Sequence, residues 1–149
     1  MSGQHQNYTI LLADDSEEDV FLLETALKEG RSTNPVQWVK DGTEVVAYLT
    51  GEGRYSDRRT FPFPELIILD VKMPRMSGLE VLEWMRDHPD FKVIPIIIMS
   101  SSGHESDVQR AYLLGANTYF IKPGSFDTLV RLVSTLHEYW ELSTKPRAA

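Results

Sequence analysis

The 149-residue chain contains no cysteine, which excludes disulfides, thiolate zinc sites and thiol nucleophiles together. That fits the cytosol, although bacterial periplasmic proteins can lack cysteine too. No apolar run approaches the length of a membrane span, and the opening MSGQHQN has no signal-peptide pattern. Positive charge is also scarce: 15 Lys and Arg stand against 22 Asp and Glu, for a formal charge of −7. That balance disfavours nucleic acid, whose phosphates are bound chiefly by clustered basic residues. A hydroxyl- and glycine-rich phosphate loop is missing after the first apolar run, where two acids stand instead. Those acids would repel the phosphate of a bound flavin mononucleotide. A soluble cytoplasmic domain is expected, with neither nucleic acid nor membrane among its partners.

What is present suffices for a core, since 42% of the residues are apolar. Short apolar runs alternate with longer amphipathic stretches. The first run, residues 8–13, ends in Asp14-Asp15, and a helix starts near Ser16 with Glu17, Glu18 and Asp19 in its first turn. Acids there complement the helix dipole. Val20, Leu23, Ala26 and Leu27 keep helical spacing, and Gly30 is a natural stop. Residues 36–40 alternate as an edge strand should, followed by a helix over 42–49. Residues 50–64 carry turn residues, charges and no period, and are expected to be an elongated surface loop.

Residues 66–69 are continuously apolar, as in a strand buried on both faces, and end in Asp70. A turn over 73–78 precedes a helical stripe of Leu79, Leu82 and Met85. A fourth strand follows over 95–99, a helix over 105–114, a fifth strand over 119–121 and a last helix carrying Leu129, Leu132, Val133, Leu136 and Trp140. Strands separated by helical crossovers predict an α/β domain over 8–141, between tails 1–7 and 142–149. Five strands favour a flavodoxin-like doubly wound parallel sheet in the order 2-1-3-4-5, with helices on both faces.

In such a sheet, ligands bind beyond the carboxyl ends of the strands, at the switch in strand order between strands one and three. Asp14 and Asp15 end strand one and Asp70 ends strand three, so three carboxylates share one crevice. Like charges so placed favour a bound cation or a proton kept on one acid. Oxygen donors suit a hard ion such as Mg²⁺, which takes a few carboxylates plus waters and phosphate oxygens. Asp15 could instead cap the first helix, but the helix after Asp70 begins several residues later, near Ser77. Ser100 follows strand four and Lys122 follows strand five. Taken singly, each is better explained as a loop hydroxyl or a solvated lysine. Five such residues at the matching ends of four strands suit a carboxylate nucleophile attacking phosphorus, with stabilised phosphoryl oxygens.

The segments LLADDSEED, LIILDVKMPRMSGLEVLEWMR, PIIIMSSS and RAYLLGANTYFIKP resemble the receiver domains of bacterial response regulators, from about Tyr8 to Tyr139. The stretch with Asp70, Met73-Pro74 and Gly78 is the most specific. By that resemblance Asp70 accepts a phosphoryl group from a phosphohistidine on a sensor histidine kinase. The resemblance also implies Mg²⁺ bound by Asp15, Asp70 and the backbone carbonyl of Lys72, with Asp14 acting through water. Lys122 would meet the phosphoryl group beside a cis Lys-Pro bond, and Ser100 and Tyr119 would form the switch pair. The domain would then catalyse its own phosphorylation and dephosphorylation without being an enzyme. Lys72 and Ser102 border the path of the attacking water, so they should influence phosphoryl lifetime.

The long 50–64 loop and the Tyr139-Trp140 ending are similar to stand-alone receivers paired with bacterial phytochromes, which implies a phytochrome-type kinase. The tail 142–149 is too short to fold as an effector, so output is expected through protein contact or relay to a phosphotransfer protein. The face made by the fourth helix, fifth strand and fifth helix is where two copies would pair. An Asp-nucleophile phosphatase is the alternative, but its DxDxT motif does not occur. His104 reads as an exposed loop histidine, and His5, His88 and His137 lack metal-ligand spacing. Arg54, Arg58 and Arg59 read as a solvated loop, and Trp140 as partly buried with a share in an interface.

Overall fold

Side chains alternate across a strand, so each apolar run supplies two opposite faces at once. The computed structural model, which describes residues 8–144, uses that property throughout. Strands β1 (Ile10–Ala13), β2 (Val36–Val39), β3 (Leu66–Leu69), β4 (Ile96–Ser100) and β5 (Thr118–Ile121) form one sheet in the order β2-β1-β3-β4-β5. Every pairing is parallel. Leu11, Ala13, Ile67, Leu69, Ile96 and Ile98 face one core, while Ile10, Leu12, Leu66, Ile68, Ile97 and Met99 face the other. The expected tail 1–7, with His5, lies outside the described residues, as do residues 145–149.

Helices α1 (Glu17–Glu29) and α5 (Phe126–Leu142) cover the second face through Val20, Leu23, Ala26, Leu129 and Val133. Helices α2 (Gly42–Thr50), α3 (Gly78–Arg86) and α4 (Glu105–Leu113) cover the first through Val45, Val81, Leu82 and Ala111. The predicted doubly wound layout is therefore observed, with element ends shifted by a residue or two. Ser16, Asp41, Ser77 and Ser125 cap α1, α2, α3 and α5, each accepting from a backbone N–H in the first turn. Ser77 and Glu80 form a reciprocal capping box. Gly78 permits the approach of α3 to the end of β3, since a Cβ there would collide with the Asp70 carbonyl. Among the described residues no helix is long and apolar enough to cross a membrane.

Residues 50–64 depart from the expected surface loop. A 3-10 turn (Gly53–Ser56) drives Tyr55 into the core, where its ring lies 5.1 Å from Tyr48 and 5.0 Å from Phe61. The Tyr48 hydroxyl donates to the Pro62 carbonyl at 2.6 Å, and the Tyr55 hydroxyl donates to Glu44 Oε1 at 3.0 Å. Burial pushes both phenols up to about 12, so both stay protonated and can donate. Arg58 is not a solvated loop charge. Its guanidinium donates to the Leu49 and Phe61 carbonyls and lies over the rings of Tyr48 and Phe63. Isolated aromatics anchor this segment, and isolated aromatics leave no period to read. Tyr55→Ala should therefore cost about 3 kcal/mol in urea unfolding, against less than about 0.5 for a residue on a solvated loop.

Candidate functional site

The parallel ladder delivers the chemical groups. Asp14 N donates to the Val39 carbonyl at 3.1 Å and Asp70 N to the Ala13 carbonyl at 2.9 Å, which aligns the ends of β2, β1 and β3. Lys122 N donates to the Ser100 carbonyl at 2.8 Å and brings the end of β5 alongside β4. The crevice anticipated at the switch between β1 and β3 is thus built by backbone hydrogen bonds before any side chain acts. Trp38 on β2 adds to it, its indole N–H donating to the Asp14 carbonyl at 2.7 Å.

Asp14 and Asp70 are buried, at 5% and 6% exposure. Asp14 Oδ1 accepts from Ser16 N at 2.9 Å, and Asp70 Oδ1 accepts from Lys72 N at 3.2 Å. The other oxygen of each meets Lys122: Nζ lies 2.9 Å from Asp14 Oδ2 and 2.9 Å from Asp70 Oδ2. A third carboxylate, Asp19 on α1, is nearer still at 2.7 Å. Burial raises the Asp14 pKa, and the hydrogen bonds from Lys122 and Ser16 only partly oppose it. Burial alone would lower the Lys122 pKa, yet bonds to Asp19, Asp14 and Asp70 outweigh it and the net shift is upward. The ammonium therefore stays charged.

Asp14, Asp15 and Asp70 each offer a carboxylate oxygen, and these atoms lie within 4.8 Å of one another. The donors are all hard oxygens, and Asp15 is exposed, which leaves an open side for waters or phosphate oxygens. This donor chemistry fits a small divalent cation. Ser100 is fully buried, and its Oγ accepts from Ser102 N at 3.2 Å. The Tyr119 hydroxyl donates to the Ser102 carbonyl at 2.7 Å, while its half-buried ring packs on the first core. Both members of the expected switch pair therefore meet at Ser102. The Ser102 hydroxyl in turn donates to Asp107 Oδ2 on α4 at 2.6 Å. His104 is exposed at the N-cap of α4 and borders the open cleft with Asp15 and Lys72.

One expectation is corrected. The Lys122–Pro123 bond is trans, and no cis peptide occurs among the described residues. Trans is the ordinary preference of an X-Pro bond, by about 0.5–1 kcal/mol. Sequence reasoning also missed two residues. In the sequence Asp19 stands out only as a dipole-complementing acid, and Trp38 only as one position of the edge strand over 36–40. Lys122 and Asp19 are 103 positions apart, so no local pattern links them. The corner made by the end of β1 and the start of α1 was the available signal.

Removing the ammonium would leave buried carboxylates uncompensated. In metal-free protein, Lys122→Met should lower stability at pH 7 by about 3 kcal/mol. Asp14, whose pKa burial already raises, would lose the lysine that opposes that rise, so the folded chain would bind more protons than the unfolded one. Stability of the variant should then rise as pH falls from 7 towards 5, narrowing the deficit. Urea unfolding at the two pH values, with a chelator present, measures both.

Residues 10–134 match the family model of the response regulator receiver domain. Response regulator Rcp1 of Synechocystis is 34% identical over 140 residues, covering 93% of each chain. The solved structure of the phosphorylated cyanobacterial phytochrome response regulator RcpA superposes with a TM-score of 0.87 at 33% identity, covering 95% of this chain and 100% of RcpA. The Mn²⁺-bound form of Rcp1 gives a TM-score of 0.83 at 33% identity, covering 94% and 99%. Domains of this kind are signalling proteins partnered by histidine kinases, and they hold a divalent metal at the acidic pocket. Fold, crevice and sequence agree: the chain belongs to the response regulator receiver domains, the phosphoaccepting modules of two-component signalling.

Proposed function

We propose that Asp70 is the phosphoacceptor, that Asp14, Asp15, Asp70 and the Lys72 carbonyl hold Mg²⁺, and that a phytochrome-type histidine kinase in the cytoplasm is the donor. The single observation behind the assignment is the Asp70 carboxylate. One of its oxygens is fixed by Lys72 N and the other by Lys122 Nζ, within reach of the Asp14 and Asp15 oxygens. The kinase type rests on RcpA, a phytochrome response regulator that covers nearly the whole chain.

The transfer needs a carboxylate free to attack and charge to meet the phosphoryl oxygens. An Asp70 Oδ would attack the phosphorus of a phosphohistidine. The new O–P bond forms as the P–N bond breaks, its electron pair passing to the imidazole. Mg²⁺, when bound, would neutralise negative charge on the phosphoryl oxygens. Lys122 would exchange its bond to Asp70 for one to the phosphoryl group. Asp70 and these neighbours, all in this chain, would also promote transfer from a small phosphodonor and later hydrolysis. For Ser100 to reach the phosphoryl group, its Oγ must release Ser102 N. Tyr119 would then leave the Ser102 carbonyl and turn inward, altering the α4–β5–α5 face. That face would carry the output, to an effector, a phosphotransfer protein or a second copy.

Incubation with Mg²⁺ and acetyl phosphate should give a hydroxylamine-labile label, about one per chain, as one acyl phosphate on Asp70 requires. Chelation should abolish it, as should Asp70→Asn. A label that persists in Asp70→Asn would place the acceptor elsewhere.

A further inference from the structure

An ammonium has three hydrogens to donate, and Lys122 gives them to three carboxylates: Asp14 at 2.9 Å, Asp70 at 2.9 Å and Asp19 at 2.7 Å. These partners differ in what else they must do. Asp14 and Asp70 belong to the cluster of oxygens that suits a divalent cation, and Asp19 does not. A cation arriving there competes with Lys122 for two of its three partners. Phosphorylation of Asp70 converts the same carboxylate into an acyl phosphate, with a carbonyl oxygen, a bridging oxygen and three phosphoryl oxygens. Asp19 alone is left unchanged by either event.

Asp19 is also built to stay in place. Its backbone N–H donates to Ser16 Oγ at 3.2 Å, which pins the first turn of α1 to its N-cap. Its side chain is 38% exposed, so it reaches Lys122 from the solvent side, whereas Asp14 and Asp70 are each 7% exposed. The ammonium is thus held between one outer carboxylate and two inner ones.

From this arrangement we infer that Asp19 is a positioning residue that tethers the Lys122 ammonium at the mouth of the site while metal and phosphoryl group occupy Asp14 and Asp70. The inference rests on the proposed phosphoacceptor role of Asp70. Without the tether, a flexible lysine on the last strand would follow its charge into solvent or onto the metal-binding acids, and would be absent when the phosphoryl oxygens need it.

The test is the rate of Asp70 phosphorylation by acetyl phosphate at saturating Mg²⁺, read over a range of donor concentrations. Asp19→Asn should lower the maximal rate constant about two- to five-fold, the scale of one partly exposed ion pair. The half-saturating donor concentration should stay unchanged. Asp19→Glu, which keeps the carboxylate, should recover most of the rate. Glu18→Gln removes the same charge from the same helical turn but leaves Lys122 alone, so it should match wild type. A maximal rate equal to wild type in Asp19→Asn would overturn the inference. So would a loss that Asp19→Glu does not reverse, or an equal loss in Glu18→Gln, which would assign the effect to the helix dipole. Failure of the wild-type chain to label at all would instead overturn the phosphoacceptor reading, and the tether with it.

Discussion

The Lys122 ammonium is the contact on which the rest of the site depends. Two carboxylates at the ends of β1 and β3 lie almost out of water, where unpaired charge is costly. One cation between them, held in turn by Asp19, permits both to remain close. The competing effects can be ranked at Asp14. Burial still prevails, because its pKa stays above the ordinary value in spite of the lysine and the Ser16 N–H. At Lys122 the order is reversed, because three partners together outweigh one desolvation. The site therefore keeps a net negative charge, with three carboxylates gathered on one ammonium.

The backbone beneath these groups is held by the sheet. Asp14, Asp70 and Lys122 are fixed at their backbones by ladder hydrogen bonds to Val39, Ala13 and Ser100. Gly78 lets α3 start against the Asp70 carbonyl, with its N–H donating to the Val71 carbonyl at 2.9 Å. The ends of neighbouring strands are thus held in register by bonds independent of the charges beyond them. Below the site, the anchored segment 50–64 closes the first core against α2, and Arg58 satisfies a carbonyl at the end of that helix. The segment supports the sheet from a distance and adds no group to the crevice.

The loop between β4 and α4 joins three elements at Ser102. Ser102 accepts the Tyr119 hydroxyl at its carbonyl, offers its N–H to Ser100 and its hydroxyl to Asp107. One residue therefore touches the buried hydroxyl near the site, the aromatic ring on β5 and the first turn of α4.

The sequence by itself determined the strand order, the two-faced core and the meeting of Asp14, Asp15, Asp70, Ser100 and Lys122 at one edge. Period-2 and period-3.6 patterns are local, and a parallel sheet turns chain order into a common carboxyl edge. Tertiary structure alone decided which acids the lysine grips. Asp19 lies 103 residues from Lys122 and joins it only because α1 packs beside α5 on one face of the sheet. It also decided that Tyr55 and Arg58 are structural, that Trp38 braces the Asp14 carbonyl, that the Lys122–Pro123 bond is trans and that Ser102 links Ser100 to Tyr119. Those outcomes depend on distances between side chains brought together by packing, and sequence spacing carries no such distances.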